Sequence, residues 1–296
     1  MKNLLKAPYN DNIFLNEKLS KYSWFNLGGP AELFFRPKNE MQLSNFLKKN
    51  KYSVNIIGAG SNTLIRDGGV KGATIKLSSK FSYINLLAEN TIEVGASTLD
   101  KTVSDFATNN SIAGFEFLSC IPGSIGGGII MNSGCYGEDI SKILVSIKVI
   151  DLNGEIKTLN KDEIRFRYRG CDLANDLIIL SAKLKGKTDT KDKIKKKQLE
   201  LIQKKKISQP NRVKTCGSTF KNSKDKKAWE LIKESDCDKI KVGKAKISEE
   251  HCNFFINDGG ATSYEIEGLI HKVKSKVLEK TGVKLELEIK IIGENL

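Results

Sequence analysis

The chain predicts an α+β fold, and three features of its 296 residues carry that expectation. The first half strings together short β-rich runs with only two helical stretches between them, unlike the strict strand–helix alternation of a doubly wound parallel sheet. A hairpin pattern occupies the middle. The last third is a separate pattern of helix, strand, long helix and alternating strand.

In chain order, LGGPAELFFRP, VNIIGAGSN, TLIRDGGVKG, ATIKL and TIEVGAS are the β-rich runs. A helix is expected over Glu40 to Lys49, and a second after Thr98, whose hydroxyl is a suitable N-cap for LDKTVSDFAT. VSIKVIDL and EIKTL flank the turn residues Asn153-Gly154 and read as an antiparallel hairpin. A lysine-dense helix follows over 191 to 206 and ends at Ser208-Gln209-Pro210, a boundary signal. Beyond it, KKAWELIKES is helical and NFFIND is a strand. Thr262 and Glu265 form a capping box before Ile266, Ile270, Val273 and Val277, which share one helix face, and Gly282 stops that helix. VKLELEIKIIG alternates strictly, with Leu285, Leu287, Ile289 and Ile291 on one face, and is expected to be one long strand.

Composition narrows the function. With 39% hydrophobic and 28% charged residues the chain is an ordinary ordered globular protein. No run approaches the roughly 18 apolar residues of a membrane span, and the N-terminal MKNLLKAPYNDNIFLNEKL has no signal-peptide core, so a cytoplasmic protein without a membrane partner is expected. The six cysteines never form C-x-x-C, which gives no reason to expect a metal site or a disulfide framework. A formal charge of +14 raises nucleic-acid binding, but only six of the 49 basic residues are arginine, the residue that reads base edges. The lysines read instead as a solvated helix face, with a positive field that gathers small anionic substrates.

Two glycine-rich turns hold the chemistry. In IIGAGSNTLIRDGG, Gly58 and Gly60 follow an apolar strand, but Thr63 stands where a dinucleotide fingerprint needs its third glycine, and a β-type run follows where a helix should. Either this is a structural turn, or Gly58, Ala59, Gly60, Ser61, Asn62 and Thr63 form a nest of amide and hydroxyl donors for a pyrophosphate. In IPGSIGGGIIMNSG, Pro122 and Gly123 bend the chain, Ser124 caps or donates, and Gly126 and Gly127 let backbone approach a phosphate at the start of a helix. Neither turn contains a Walker lysine or a magnesium motif. Two such nests suit a dinucleotide that is held and not cleaved, and flavin adenine dinucleotide fits.

These motifs, with SKYSWFNLGGPAELFFRP, GFEFLSCIPGSIGGGIIMNSGCYGEDI, RFRYRGC, TCGSTFKN and ISEEHCNFFINDGGATSYEIEGLIHKV, resemble the bacterial UDP-N-acetylenolpyruvoylglucosamine reductases from end to end. The resemblance implies a flavin-binding fold of the vanillyl-alcohol oxidase (PCMH) type in two subdomains, residues 1–79 and 80–189, with a C-terminal α+β substrate domain over 190–296. It implies non-covalent FAD contacting the two glycine turns together with Asn132 and Gly134, NADPH as co-substrate and a UDP-sugar as substrate, in peptidoglycan precursor synthesis. It implies Arg169, Ser218 and Glu288 as catalytic residues, and Tyr168, Lys221 and Asn222 as substrate contacts. No metal is implied, and a monomer is expected. Ser223 stands where the family usually has proline, the glycines usual near ESDCDKIKVG are partly missing, and the short stretch between Arg169 and Ser218 resembles the shorter type II form.

The implied chemistry is consistent with the residue types. Hydride addition to the enolpyruvyl β-carbon leaves negative charge on the α-carbon and carboxylate, which a guanidinium engages. A serine then protonates the α-carbon, with Glu288 setting protonation around the developing enol. His251 and His271 lie outside the flavin half and are not expected to take part.

Overall fold

The computed structural model describes residues 12–296, so most of the N-terminal segment read above lies outside the described residues. The chain divides into two compact units. Among the described residues the first holds 12–14, Phe34–Ala59 and Ala73–Lys205, and the second holds Leu15–Leu33, Gly60–Gly72 and Lys206–Leu296.

The first unit is built on a five-stranded antiparallel sheet ordered Ile156–Asn160, Leu144–Ile150, Ile178–Lys185, Thr91–Gly95 and Ile84–Ala88. The hairpin read from Asn153-Gly154 is present, with Ile150 opposite Ile156. Strand Val54–Ile56 pairs in parallel with residues Ala73 to Ile75. Helix α1 (Glu40–Lys49) starts where the sequence places it, because the Asn39 side chain accepts the Gln42 amide proton. Helix α2 (Asp100–Asn109) begins later than expected: its N-cap is Leu99. Thr98 is not the cap, because its hydroxyl is engaged with the amide and carbonyl of Tyr83. Helix α3 (Ile125–Ile130) follows the second glycine turn, and α4 (Lys191–Ser208) is the lysine-rich helix. Ile92, Val94, Val103, Phe115, Phe117, Ile125, Ile129 and Ile147 form the core of this unit.

The second unit packs α5 (Ala228–Glu234) and α6 (Ser263–Thr281) with the antiparallel strands Lys241–Val242, Ala245–Ile247 and Phe255–Asn257. The Thr262–Glu265 capping box is formed, and Gly282 adopts φ +72° at the end of α6. Ile266, Ile270, Val273 and Val277 are buried together with Phe220, Phe255, Leu285 and Ile289. The long C-terminal strand is shorter than its alternation suggests. Only Lys290–Ile292 forms a ladder, in parallel with Thr63–Ile65, while Leu287 makes a single bridge with Phe220. Leu285 and Ile289 are buried, and Glu286 and Lys290 are exposed. The period of two therefore reported a buried face correctly, but not a continuous pairing partner.

Candidate functional site

The first unit brings its two glycine turns together. Gly58 follows strand Val54–Ile56, and a side chain built on it would place Cβ 3.1 Å from Ser124 Oγ, with the Gly127 Cα 3.9 Å away. A side chain here would crowd the Ser124 hydroxyl, which would have to give way by a few tenths of an ångström. Ser124 is the extended N-cap of α3, and its hydroxyl makes no capping bond to that helix. The Ile125 and Gly126 amides donate to Thr98 and Ala96 carbonyls at 3.0 and 2.9 Å, which fixes the start of α3. Gly126 thus contributes close approach, its own amide being engaged. Pro122 and Gly127 are exposed on this surface.

One residue beside the first turn is not signalled by the sequence. The Lys76 ammonium donates to the Gly58 carbonyl, although neither turn contains a lysine. Ile56 pairs with Ile75, so the residue after the second strand lands beside the turn after the first. Burial, and then neighbouring Arg36, lower the Lys76 amine to about 8. The only available signal was the pairing register of two parallel strands, which a single sequence does not display.

Asn132 and Gly134, expected as cofactor contacts, are each held by local bonds. Asn132 is buried at φ +40°, accepts the Ser141 amide proton at 3.1 Å and donates to the Arg167 carbonyl at 3.2 Å. Gly134 pairs with Asp139, and a side chain on Gly134 would meet the Glu138 carbonyl and the Asp139 side chain.

The Asn132 tie positions Arg169. Phe166–Arg167 and Gly170–Cys171 form a tight hairpin whose two-residue turn is Tyr168-Arg169. Arg169 sits at φ +56°, uncommon for a side chain of its size, and its guanidinium lies 5.0 Å from the Tyr168 ring centroid. Tyr168 itself is 51% exposed. The Cys171 thiol donates to the Ile130 carbonyl at the end of α3, so both strands of the hairpin are anchored to the segment that follows the glycine turn.

The second unit assembles the remaining residues. Asn253 clamps the GSTFKN segment: its side chain accepts the Phe220 amide proton at 3.0 Å and donates to the Phe220 carbonyl at 2.8 Å, while its carbonyl accepts from the Thr219 amide. Ser218 bridges to Phe254. The Glu288 amide donates to the Thr219 carbonyl at 2.9 Å, which sets Glu288 and Ser218 on adjoining segments. Asn62 donates to the Glu288 carbonyl at 3.0 Å, and the Cys216 thiol donates to the Gly60 and Thr63 carbonyls. Burial holds the Cys216 thiol up at about 12, so it is a neutral donor. Gly60 sits at φ +72°, and a side chain there would strike the Tyr22 carbonyl. Ser61 is half-buried beside it. Lys221 pairs with exposed Glu286 at 3.7 Å, and the Asn222 side chain accepts the Ala228 amide proton at the start of α5.

Known proteins resemble the chain over this whole length. Residues 209–292 match the family described as the C-terminal domain of UDP-N-acetylenolpyruvoylglucosamine reductase, and residues 31–160 match an FAD binding domain. The UDP-N-acetylenolpyruvoylglucosamine reductase of Pelagibacter ubique is 49% identical over 93% of this chain and 92% of its own length. The chain belongs to the UDP-N-acetylenolpyruvoylglucosamine reductase family. A Rickettsia bellii reductase of this family is 44% identical over 93% of the chain and 92% of its own. The crystal structure of the Thermus caldophilus member superposes with a TM-score of 0.83 at 30% identity, covering 95% of this chain and 98% of that one. The α+β class and flavin-binding architecture expected from the motifs are those of the family.

FAD is the family's cofactor, and the geometry of the first unit fits it. A surface that a Cβ would crowd between Gly58 and Ser124, with the Lys76 ammonium beside it, suits a pyrophosphate approached closely by backbone. No helix among the described residues is long and apolar enough to cross a membrane, and no group of three or more metal-ligating side chains is found there.

Proposed function

We propose that this chain reduces the enolpyruvyl ether of UDP-N-acetylenolpyruvoylglucosamine to UDP-N-acetylmuramate with NADPH, a step of peptidoglycan precursor synthesis in the cytoplasm. Family membership carries this reading, at 49% identity across nearly the whole chain. Bound FAD supplies the hydride that reaches the substrate. Gly58, Ala59, Gly60, Ser61, Asn62 and Thr63, with Pro122, Gly123, Ser124, Gly126, Gly127, Asn132 and Gly134, contact the cofactor. Residues 1–79 and 80–189 serve the cofactor and 190–296 the substrate.

The roles of the side chains follow from charge. Arg169, fixed on a two-residue turn, offers a guanidinium to the carboxylate on which negative charge develops. Its unusual backbone conformation supports a functional role, since strain of this kind collects at working sites. Ser218 gives a proton to the α-carbon. Glu288, whose amide is bonded beside Ser218 at Thr219, sets the protonation around the enol. Tyr168, Lys221 and Asn222 contact the substrate, Lys221 by exchanging its exposed partner Glu286 for an anionic group.

The visible spectrum of the purified protein tests the reading. A flavin spectrum that NADPH bleaches, and that returns on adding the enolpyruvyl substrate, is expected; a colourless protein that takes up no FAD overturns it. Ser218→Ala should lower substrate reduction by about a hundredfold to ten-thousandfold while NADPH still bleaches the flavin at the wild-type rate. Near-normal turnover in that variant removes Ser218 from the proton step.

A further inference from the structure

The first unit holds a cation that no acidic side chain answers. Ile56 pairs in parallel with Ile75, and the Ile57 amide donates to the Ile75 carbonyl at 3.0 Å, so Gly58 and Lys76 leave their strands at the same end. On the other flank of Ile75, the Phe35 carbonyl accepts the Lys76 amide proton at 3.0 Å and the Pro37 carbonyl accepts that of Ser78 at 3.3 Å. These two segments also run side by side in one direction. Arg36, Lys76 and Gly58 therefore emerge together at the carboxyl ends of neighbouring strands, the end at which open sheets of parallel strands bind their ligands.

Lys76 is half-buried there, and its ammonium donates to the Gly58 carbonyl. One acceptor leaves two of its three N–H groups for something else. Among the described residues no carboxylate forms an ion pair with it. Arg36 Nε is buried as well, and it has no hydrogen-bond partner. Withdrawing positive charge from water without a counter-ion is costly. Burial, and then the charge of Arg36, already lower the Lys76 amine to about 8, which leaves it mostly protonated at pH 7. The place is also specific. Gly58, whose carbonyl takes the ammonium, is the residue at which the two glycine turns converge, a Cβ on it lying 3.1 Å from Ser124 Oγ and 3.9 Å from the Gly127 Cα.

We propose that Lys76 is a cofactor-binding residue whose ammonium supplies the counter-charge to the FAD pyrophosphate at the two glycine turns. This rests on the reading of those turns as the cofactor site. The Gly58 carbonyl aims the ammonium, its remaining donors take phosphate oxygen, and Arg36 adds to the positive field from the adjoining strand end. The turns supply close approach, and the strand beside them supplies charge. A Walker-type lysine is missing from both turns, and Lys76 brings the cation to them through strand pairing.

Titration of the full-length apoprotein with FAD, followed by flavin fluorescence, tests this with Lys76→Met, Lys76→Gln and Lys76→Arg. Methionine removes donor and charge, glutamine keeps a donor for the Gly58 carbonyl, and arginine keeps the charge. FAD should bind about tenfold to a hundredfold more weakly to the methionine and glutamine variants, and the arginine variant should lie closer to wild type than to either. Raising salt from about 0.05 to 0.5 M should weaken FAD binding by the wild type severalfold and by the methionine and glutamine variants less. Wild-type affinity in Lys76→Gln would reduce Lys76 to a support of the turn and overturn the proposal. Unchanged affinity in Lys76→Met, or one salt dependence shared by all four proteins, would do the same. Urea midpoints identify any variant that does not fold, in which case the other two decide. Gly58→Val, titrated alongside, reads the turn itself. Weaker binding there with unchanged binding in the Lys76 variants overturns the role of the lysine alone, whereas unchanged binding in Gly58→Val removes the turn from the cofactor site and the proposal with it.

Discussion

The glycine turns of the first unit and the Ser218–Glu288 segments of the second are built on opposite plans. Around Gly58 and Ser124 the structure removes side chains: an added Cβ at Gly58 meets Ser124, and the start of α3 is fixed by backbone bonds to Ala96 and Thr98. Around Ser218 it adds them: Asn253, Asn62 and Cys216 each hold a backbone segment by a side chain. On the proposed function, the turns grip a fixed group with backbone and are specified by absence, whereas the Ser218 segment aims one side chain and is specified by clamps. The two should break in different ways.

The largest effect is expected at the clamp. Asn253→Ala strands the buried amide and carbonyl of Phe220, which should cost about 2–4 kcal/mol of stability and loosen Ser218. Urea unfolding and turnover, with FAD content at the wild-type level, check this; loss of FAD before loss of turnover would erase the contrast. Gly58→Val comes next. Its side chain has no space beside Ser124 Oγ, so FAD affinity should fall by about 1–3 kcal/mol, read by titration of the apoprotein, while the urea midpoint changes less.

Asp100 sharpens the comparison through pH. Its carboxyl is fully buried behind the second glycine turn, with neither oxygen hydrogen-bonded, and a Cβ on Gly123 would lie 2.6 Å from it. Burial raises it from 3.8 to about 8. The folded protein therefore keeps a proton that the unfolded chain loses above pH 3.8, and stability falls as pH rises from there towards 8. The slope in that window is up to about 1.4 kcal/mol per pH unit, and Asp100→Asn should flatten it, as urea midpoints at pH 5, 7 and 8 would record. The smallest effect is at Gly127, where an added Cβ would sit 3.8 Å from Ser124 Oγ in ordinary contact. Gly127→Ala should raise stability by about 0.5–1 kcal/mol through helix propensity, visible as a higher melting temperature.

The same contrast explains what was legible in the sequence. Glycine turns announce themselves, because a backbone approach excludes nearly every other residue and the pattern is local. The Arg169, Ser218 and Glu288 segments were legible through their motifs, yet the groups that orient them were not. Asn253 reads as one polar residue before a strand, and Thr98 reads as a cap until the Tyr83 backbone takes its hydroxyl. The C-terminal alternation showed which face is buried, although its neighbour offers one bridge at Leu287 and a ladder only from Lys290.

Residue order alone determined the α+β class, the Asn153-Gly154 hairpin, the Thr262–Glu265 capping box and the two glycine turns, because each depends on chemistry within a few neighbouring positions. Tertiary structure decided that Lys76 reaches Gly58, that Asn62 holds the Glu288 backbone, and that Asn132 ties the arginine hairpin down. Those pairs lie 18 to 226 positions apart, and their contact is set by strand register and packing, which no local pattern encodes.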